Sequence, residues 1–447
     1  MDNKTNKQKR ITTFQIIIMS FIGMIILGTL ILMLPISTVD GQGADIYDAI
    51  FTATSAVCVT GLVVQNTATY WSLFGKIIII ILIQIGGMGA ITIFAEVSIL
   101  FGKKIGLKER GVIQDALSLH NIGGAAKFIT FVVKSVVIIE IIGAVLLAFV
   151  FHFTDGMPVS KSIGYGIFHS ISAFCNAGFD LCGEEIPYNS LVAYGSNVPM
   201  NIVIMFLIVA GGLGFITYND IKSNGIHFRK YKMQSKVIIV TSLVLIIVPA
   251  VLFGIFEFSE YPMKSRILLA IFQSVTTRTA GFNTVDFNEM SEAGIAIMIF
   301  LMLIGGSPGS TAGGYKTTTI AVLVASAIAV FSRKDDTHFF GRRIDDKVVK
   351  NAVAIVLLYF TSFFVAGLLI SKIEALPLMT CLFETGSAAG TVGLTMGITP
   401  TLSLASRAIL VFQMFWGRVG GLTLIFAASP IGVNTEAKLP REDLMVG

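Results

Sequence analysis

Four short stretches of this chain carry residues suited to stripping the water from a bare cation. They are Cys58-Val59-Thr60-Gly61, Cys175-Asn176-Ala177-Gly178, Thr279-Ala280-Gly281 and Thr391-Val392-Gly393. Each lies downstream of a phenylalanine and, four positions after that, a Ser or Thr: Phe51/Ser55, Phe168/Ser172, Phe272/Thr276 and Phe383/Ser387. The glycine falls six residues after the Ser in three copies and five after the Thr in the third. The chemistry this pattern offers lies in the backbone, since inward-pointing carbonyl oxygens can replace a cation's hydration shell. Holding them inward takes dihedrals that most residues disfavour and that glycine adopts without steric cost. One match would mean nothing, but four mark an internal repeat.

Such turns need a scaffold. The chain has 447 residues, of which 54% are hydrophobic and 13% charged, and its mean hydropathy is +0.82. Soluble domains run to about 25% charged, so an integral membrane protein is expected. Crossing a bilayer takes about 20 apolar residues, and eight segments qualify: 14–34, 74–101, 128–151, 198–218, 237–256, 293–331, 352–370 and 402–428. Between the members of each pair lies an apolar segment of 11 to 15 residues that leads into a glycine turn. That is too short to cross and suits a re-entrant helix, tolerated at membrane depth where it lines a water-filled cavity or is buried in protein. The fold expected is all-α and polytopic. Eight transmembrane helices and four re-entrant pore helices form four M1–P–M2 repeats around one pseudo-four-fold pore. The repeats divide as 1–110, 111–232, 233–346 (with a broken M2) and 347–447 (with a C-terminal tail).

Each second span also carries a glycine pair: Gly86-Gly87, Gly211-Gly212, Gly305-Gly306 and Gly420-Gly421. Close helix packing is the common use of such pairs. The residue after each landmark phenylalanine is polar (Thr52, His169, Gln273, Glu384) and reads as a hydrogen-bonding prop behind the turn. Lys and Arg concentrate at 4–10, 103–110, 222–236 and 333–350. If eight spans alternate, all four clusters share one side, which is therefore cytoplasmic together with both termini. The opposite loops hold Asp155, Asp180, Glu184, Glu185, Glu257, Glu260, Asp286, Glu289 and Glu292, which would concentrate cations near the turns. The net charge of +5 is too small and too dispersed for nucleic acid. Cys58, Cys175, Cys182 and Cys381 form no C-x-x-C pair and suit packing rather than metal. No organic cofactor is implied. An embedded enzyme is disfavoured, because His120, His152, His169, His227 and His338 are scattered and no acid pair recurs.

The sixth span is the exception. Its middle reads Gly305, Gly306, Ser307, Pro308, Gly309, Ser310, Thr311, Ala312, Gly313 and Gly314, a composition that removes helix propensity and predicts a loop inside the membrane. Lys316 follows it and is expected to snorkel to the cytoplasmic interface, with a latch role as the alternative. Arg418 in the last span is costly at that depth and reads as an electrostatic brake below the turns, with a packing salt bridge as the alternative. Arg278 borders the third turn and is expected behind it, paired with Glu384 or Glu140.

These residues together resemble the Ktr/Trk/HKT superfamily of potassium transporters, and most closely its KtrB-type pore subunits. The resemblance rests on C-V-T-G-L, C-N-A-G-F, R-T-A-G-F, T-V-G-L and G-G-S-P-G-S-T-A-G-G-Y-K. It implies a selectivity filter with glycine at Gly61, Gly178, Gly281 and Gly393, binding K+ at the turn residues named above. It further implies an intramembrane gating loop at 305–314 and potassium uptake across a bacterial plasma membrane. A homodimer among membrane lipid is implied too, with a cytosolic KtrA-like nucleotide-binding ring as regulator and with stimulation by Na+. Cys58 and Cys175 depart from the Thr-like and Asn residues the resemblance would place there. A sodium- or proton-coupled secondary transporter is the alternative. Repeats that all run in one direction, rather than as inverted halves, speak against it.

Overall fold

The uninterrupted apolar segments form four long helices, Thr13–Leu32, Ala125–Asp155, Met233–Phe256 and Asp346–Glu374. At about 1.5 Å per residue each can reach across the roughly 30 Å hydrocarbon layer. No more than a third of the most apolar stretch of each is buried, so these outer helices present their apolar sides outward. The computed structural model describes residues 12–89, 92, 125–428 and 442. The basic residues Lys4, Lys7, Lys9, Arg10, Lys103, Lys104, Lys108 and Arg110, together with His120 and the C-terminal tail from 429 to 441, lie outside the described residues.

Each outer helix is followed by a short helix that ends at a glycine turn: Ile46–Val57, Val159–Phe174, Met263–Thr276 and Leu378–Gly390. Their lengths are 12, 16, 14 and 13 residues, the second one longer than its sequence suggested. Local chemistry starts them. Asp45 accepts the Tyr47 amide at 3.0 Å, and Pro158, Pro262 and Pro377 stand before the other three with φ near −54°. The inner helices then begin at Ser72, Asn197, Ser291 and Ser403. Each side chain accepts the amide three residues on, which satisfies one orphan donor of the first turn. Glu257 and Glu374, at or just past the ends of their outer helices, accept from Ser291 and Ser403 respectively. Outer and inner helices of those two repeats are thereby tied at one rim.

The sequence predicted a break in the sixth span alone, whereas the inner helices of the second, third and fourth repeats are interrupted and that of the first ends at the same kind of glycine. The first stops at Met88, the second bends by 96° between Gly212 and Phe215, the third stops at Leu303 and the fourth at Val419. In three of them the break is one glycine in nearly the same conformation: Gly89 (φ 81°, ψ 128°), Gly214 (84°, 135°) and Gly420 (90°, 128°). Only glycine enters that region readily. Three residues earlier stand Gly86, Gly211 and Gly417, where a Cβ would run into the carbonyl oxygens of Val57, Phe174 and Ala389 at the ends of the pore helices. The packing glycine of the fourth repeat is therefore Gly417, and Gly420 of the predicted pair is the break itself. In the third repeat Pro308 stands three residues after Gly305, and the break widens into a loop that ends where Thr317–Phe331 begins.

Between Phe331 and Asp346 the chain forms a two-stranded hairpin, β1 His338–Phe339 with β2 Arg342–Arg343. It covers only a small cluster of Val322, Ile344 and Ala352.

Candidate ion pathway

The four glycine turns meet in one ring. A Cβ added to Gly61 would run into the carbonyl oxygen of Ala177, one on Gly281 into that of Val392 and one on Gly393 into that of Thr60. On Gly178 it would lie 2.8 Å from the Gly281 Cα and 2.9 Å from the Ala280 oxygen. Each glycine thus faces the residue preceding the next glycine, and the order closes as one, two, three, four. All four have positive φ (93°, 69°, 82° and 95°). So do the residues two places before them, Val59, Asn176, Thr279 and Thr391, at 51° to 67°. Alternating handedness of this kind turns successive carbonyls toward one side of the strand.

The one-residue shortening of the third copy is taken up at the end of its pore helix. The residue before the glycine donates its amide to the landmark Ser or Thr carbonyl in every copy: Thr60 to Ser55 at 2.8 Å, Ala177 to Ser172 at 2.7 Å, Val392 to Ser387 at 2.8 Å, and Ala280 to Thr276 at 3.0 Å across one residue fewer. The hydroxyls hold the turn from behind. Ser55 and Ser387 accept the Gly61 and Gly393 amides at 3.0 Å, while Ser172 and Thr276 donate to the Phe179 and Phe282 carbonyls at 2.7 and 2.5 Å.

Three of the four expected props have the partners their position implied. His169 accepts from the Leu181 amide at 3.2 Å, with its other ring nitrogen 2.8 Å from the Tyr165 carbonyl. Gln273 donates to Thr284 at 2.9 Å, and Glu384 accepts from Thr395, Thr399 and the Met396 amide. Leu181, Thr284 and Met396 each lie three residues past their turn glycine, so the prop ties the pore helix to the exit strand. Both ring nitrogens of His169 are engaged with the protein, which makes it a structural histidine. The Cys175 thiol turns away from the ring, toward Gln84 and Glu140, and Cys58 packs in an apolar cluster with Leu410 and Met414. Both offer the ring their backbone only.

The interrupted sixth span passes beneath the ring. Thr311 donates through its hydroxyl to the Phe174 carbonyl at 3.0 Å, and a Cβ on Gly313 would strike the Thr391 hydroxyl. Ser307 and Thr311 donate their amides to Gly212 and Gly211, and Phe215 donates to Gly309. The loop starts and ends at one point, where Gly305 donates to the Tyr315 carbonyl at 2.9 Å. Lys316 does not snorkel, because its ammonium donates back to the Ala312 and Gly313 carbonyls at 2.7 and 3.3 Å. Arg418 reaches across from the fourth repeat and donates to the carbonyls of Thr311, Gly86 and Gly87. One guanidinium thereby joins the loop to the inner helix of the first repeat. On the far side of the loop from the ring is a cavity of about 410 Å³, whose walls include Gly89, Pro308, Lys316 and Arg418.

The pairing expected for Arg278 is absent. Its guanidinium lies behind the ring and donates to the Ser242 hydroxyl at 3.2 Å, while Glu140 accepts from Gln84 and Glu384 from the threonines. On the acidic rim, Glu184 pairs with Lys161 at 2.6 Å, and Asp48 with Arg407 at 3.0 Å across the seam between repeats one and four. The Asp48 pair is mostly buried and ties two repeats together, whereas the Glu184 pair stays open to solvent.

The model of the TrkH family, described as a cation transport protein, matches residues 2–436. The potassium/sodium uptake protein NtpJ of Enterococcus hirae is 39% identical over 99% of both chains. The Ktr system potassium uptake protein B of Bacillus subtilis is 37% identical over 95% of both. The crystal structure of the potassium transporter TrkH from Vibrio parahaemolyticus superposes with a TM-score of 0.75, covering 96% of this chain and 87% of that one. At 19% identity it speaks to the fold alone.

Proposed function

The chain belongs to the TrkH family of cation transport proteins, and from that premise we propose that it carries potassium into the cell through the four-turn ring, as a selectivity filter. The observation that carries the reading is the cyclic glycine-to-carbonyl contact among Gly61, Gly178, Gly281 and Gly393, which builds one narrow passage from four backbones. The ligands offered are carbonyl oxygens, aided by the hydroxyls of Thr60 and Thr391, buried without a hydrogen-bond partner among the described residues. Oxygen-only coordination suits an alkali cation. The loop at 305–314 is the gate, Lys316 and Arg418 hold it closed, and Arg418 also repels cations at the inner end of the passage.

The four repeats, each contributing one turn, are the units of the fold, and the basic loops face the cytoplasm. The names of the Ktr system relatives support a partner subunit, assigned here to a KtrA-like nucleotide-binding ring acting from the cytosol on a homodimer in the plasma membrane. The name of the Enterococcus relative supports sodium as a second ion, assigned here a stimulating role. The test is flux in liposomes containing the purified chain. Potassium influx well above sodium influx, and potassium-dependent growth restored in an uptake-deficient cell, are expected. Equal permeation of both ions by a folded chain would remove the filter assignment.

A further inference from the structure

The positions equivalent to Cys58 and Cys175, three residues before the filter glycine, are Arg278 and Gly390. Three of the four filter segments are therefore entered through an uncharged residue and the third through a full positive charge. That charge is buried (Arg278 is 7% exposed) and has, among the described residues, a single side-chain hydrogen bond, to Ser242. Its Nε has no partner among the described residues, and no carboxylate among them lies within 4.0 Å of the guanidinium. The other arginine of the pathway, Arg418, is bonded to three carbonyls.

The guanidinium borders a cavity of about 10 Å³ between inner helix two and outer helix three, lined otherwise by Ile208, Val209, Gly212, Leu213 and Val275 besides Ser242. Space of that size holds about one water. A water can complete the hydrogen bonds of the guanidinium but brings no negative charge, and Arg stays protonated in proteins. The seam between repeats one and two places a carboxyl, Glu140, beside Cys175, but it is bonded to Gln84 rather than to Arg278.

We propose that Arg278 is an affinity-setting residue of the filter, whose uncompensated charge behind the third segment weakens potassium binding there and speeds its release. This rests on the filter reading above. At the effective dielectric of a protein, a unit charge at about 10 Å changes the binding of a cation by roughly tenfold, a nearer one by more and a farther one by less. Because the side chain acts through space, the role demands charge and little else.

The experiment measures the concentration dependence of potassium uptake in liposomes for three variants of the full chain. Arg278→Gln should lower the potassium KM by about three- to tenfold without raising the maximal rate, and Arg278→Lys should keep the wild-type KM. Ser242→Asp, which places a countercharge beside the intact guanidinium, should move KM in the same direction as Arg278→Gln. An unchanged or higher KM in Arg278→Gln, or an Arg278→Lys that shifts as far as Gln, overturns the proposal. If Arg278→Gln fails to fold, Ser242→Asp decides, and an unshifted KM in that variant is equally fatal. A wild-type chain that does not prefer potassium to sodium refutes the filter reading instead, so the two failures are distinguishable.

Discussion

The inner helices of repeats one, two and four each end beside a glycine of nearly one conformation, whereas that of the third ends in the loop 304–316. Gly214 and Gly420 redirect the chain with one unusual pair of dihedrals each, and Gly89 has nearly the same pair. The third repeat instead closes its loop on itself through Gly305 and Tyr315 and fills the space under the ring. A glycine break is a corner set by backbone dihedrals, whereas the loop is held in place by side chains as well. The comparison explains why the restraints gather where they do. Thr311 binds Phe174, and Arg418 and Lys316 bind loop carbonyls. Arg418 also bonds the Gly86 and Gly87 carbonyls beside the first break, so the loop is tied to a corner of a neighbouring repeat.

The largest effect separates the ring from both kinds of break. In Gly178→Ala the new methyl would meet the Gly281 Cα at 2.8 Å, on a backbone with φ 69°. Neither the neighbour, itself backbone, nor the strand can give way. Selective potassium uptake in liposomes should fall by more than tenfold, while the chain still purifies as wild type does. A selective, full-rate Gly178→Ala would mean that the ring is not the passage.

The next effect tests the loop as the movable member. Arg418→Gln removes the guanidinium that ties Thr311 to Gly86 and Gly87, and with it a positive charge beneath the ring. Unregulated potassium flux should rise several-fold. A flux that drops, in protein that remains folded, would make Arg418 a strut of the open pathway rather than a clamp on the closed one.

The ring was legible in the sequence because its signal is a repeat: Phe, then Ser or Thr, then Gly, four times over. The loop was legible through composition, five glycines and a proline within ten residues. The glycine breaks were not, for a physical reason. Inside an apolar run a glycine that packs and a glycine that breaks look alike, and the adjacent pairs drew attention from the spacing that matters. That spacing is Gly86/Gly89, Gly211/Gly214 and Gly417/Gly420, a packing glycine followed three residues later by a break, with Gly305/Pro308 as the divergent fourth. Read that way, Gly417 falls 24 residues after Gly393 as Gly86 falls 25 after Gly61, a closer match than Gly420 provides. The partner of Arg278 was equally out of reach. Choosing Glu140 or Glu384 from charge alone ignores that a carboxyl can be satisfied by Gln84 or by two threonines and an amide.

The corner glycines come next in size. At Gly420 a methyl meets nothing closer than Thr423 Oγ1 at 3.7 Å, so any cost of Gly420→Ala is conformational. A non-glycine residue held at φ 90° and ψ 128° costs about 1–3 kcal/mol. Thermal unfolding in detergent should shift downward, with ion selectivity unaltered. A matching loss of selectivity would show that the corner and the ring are coupled, and would blur the distinction between fixed breaks and the gate.

The smallest effect is the control that gives the others their meaning. Gly23 lies within the first outer helix, has no atom within 4 Å of where a Cβ would be placed, and has no positive φ. Gly23→Ala therefore adds a methyl to open space and restricts the unfolded chain, and helix propensity favours it by about 0.5–1 kcal/mol. Its melting temperature should hold or rise slightly and its uptake should match wild type. If Gly23→Ala instead destabilised the chain as much as Gly420→Ala, the cost at the corner could not be assigned to its dihedrals. The outer helix would then carry a close neighbour at that point, as it would where a second copy of the chain packs against it.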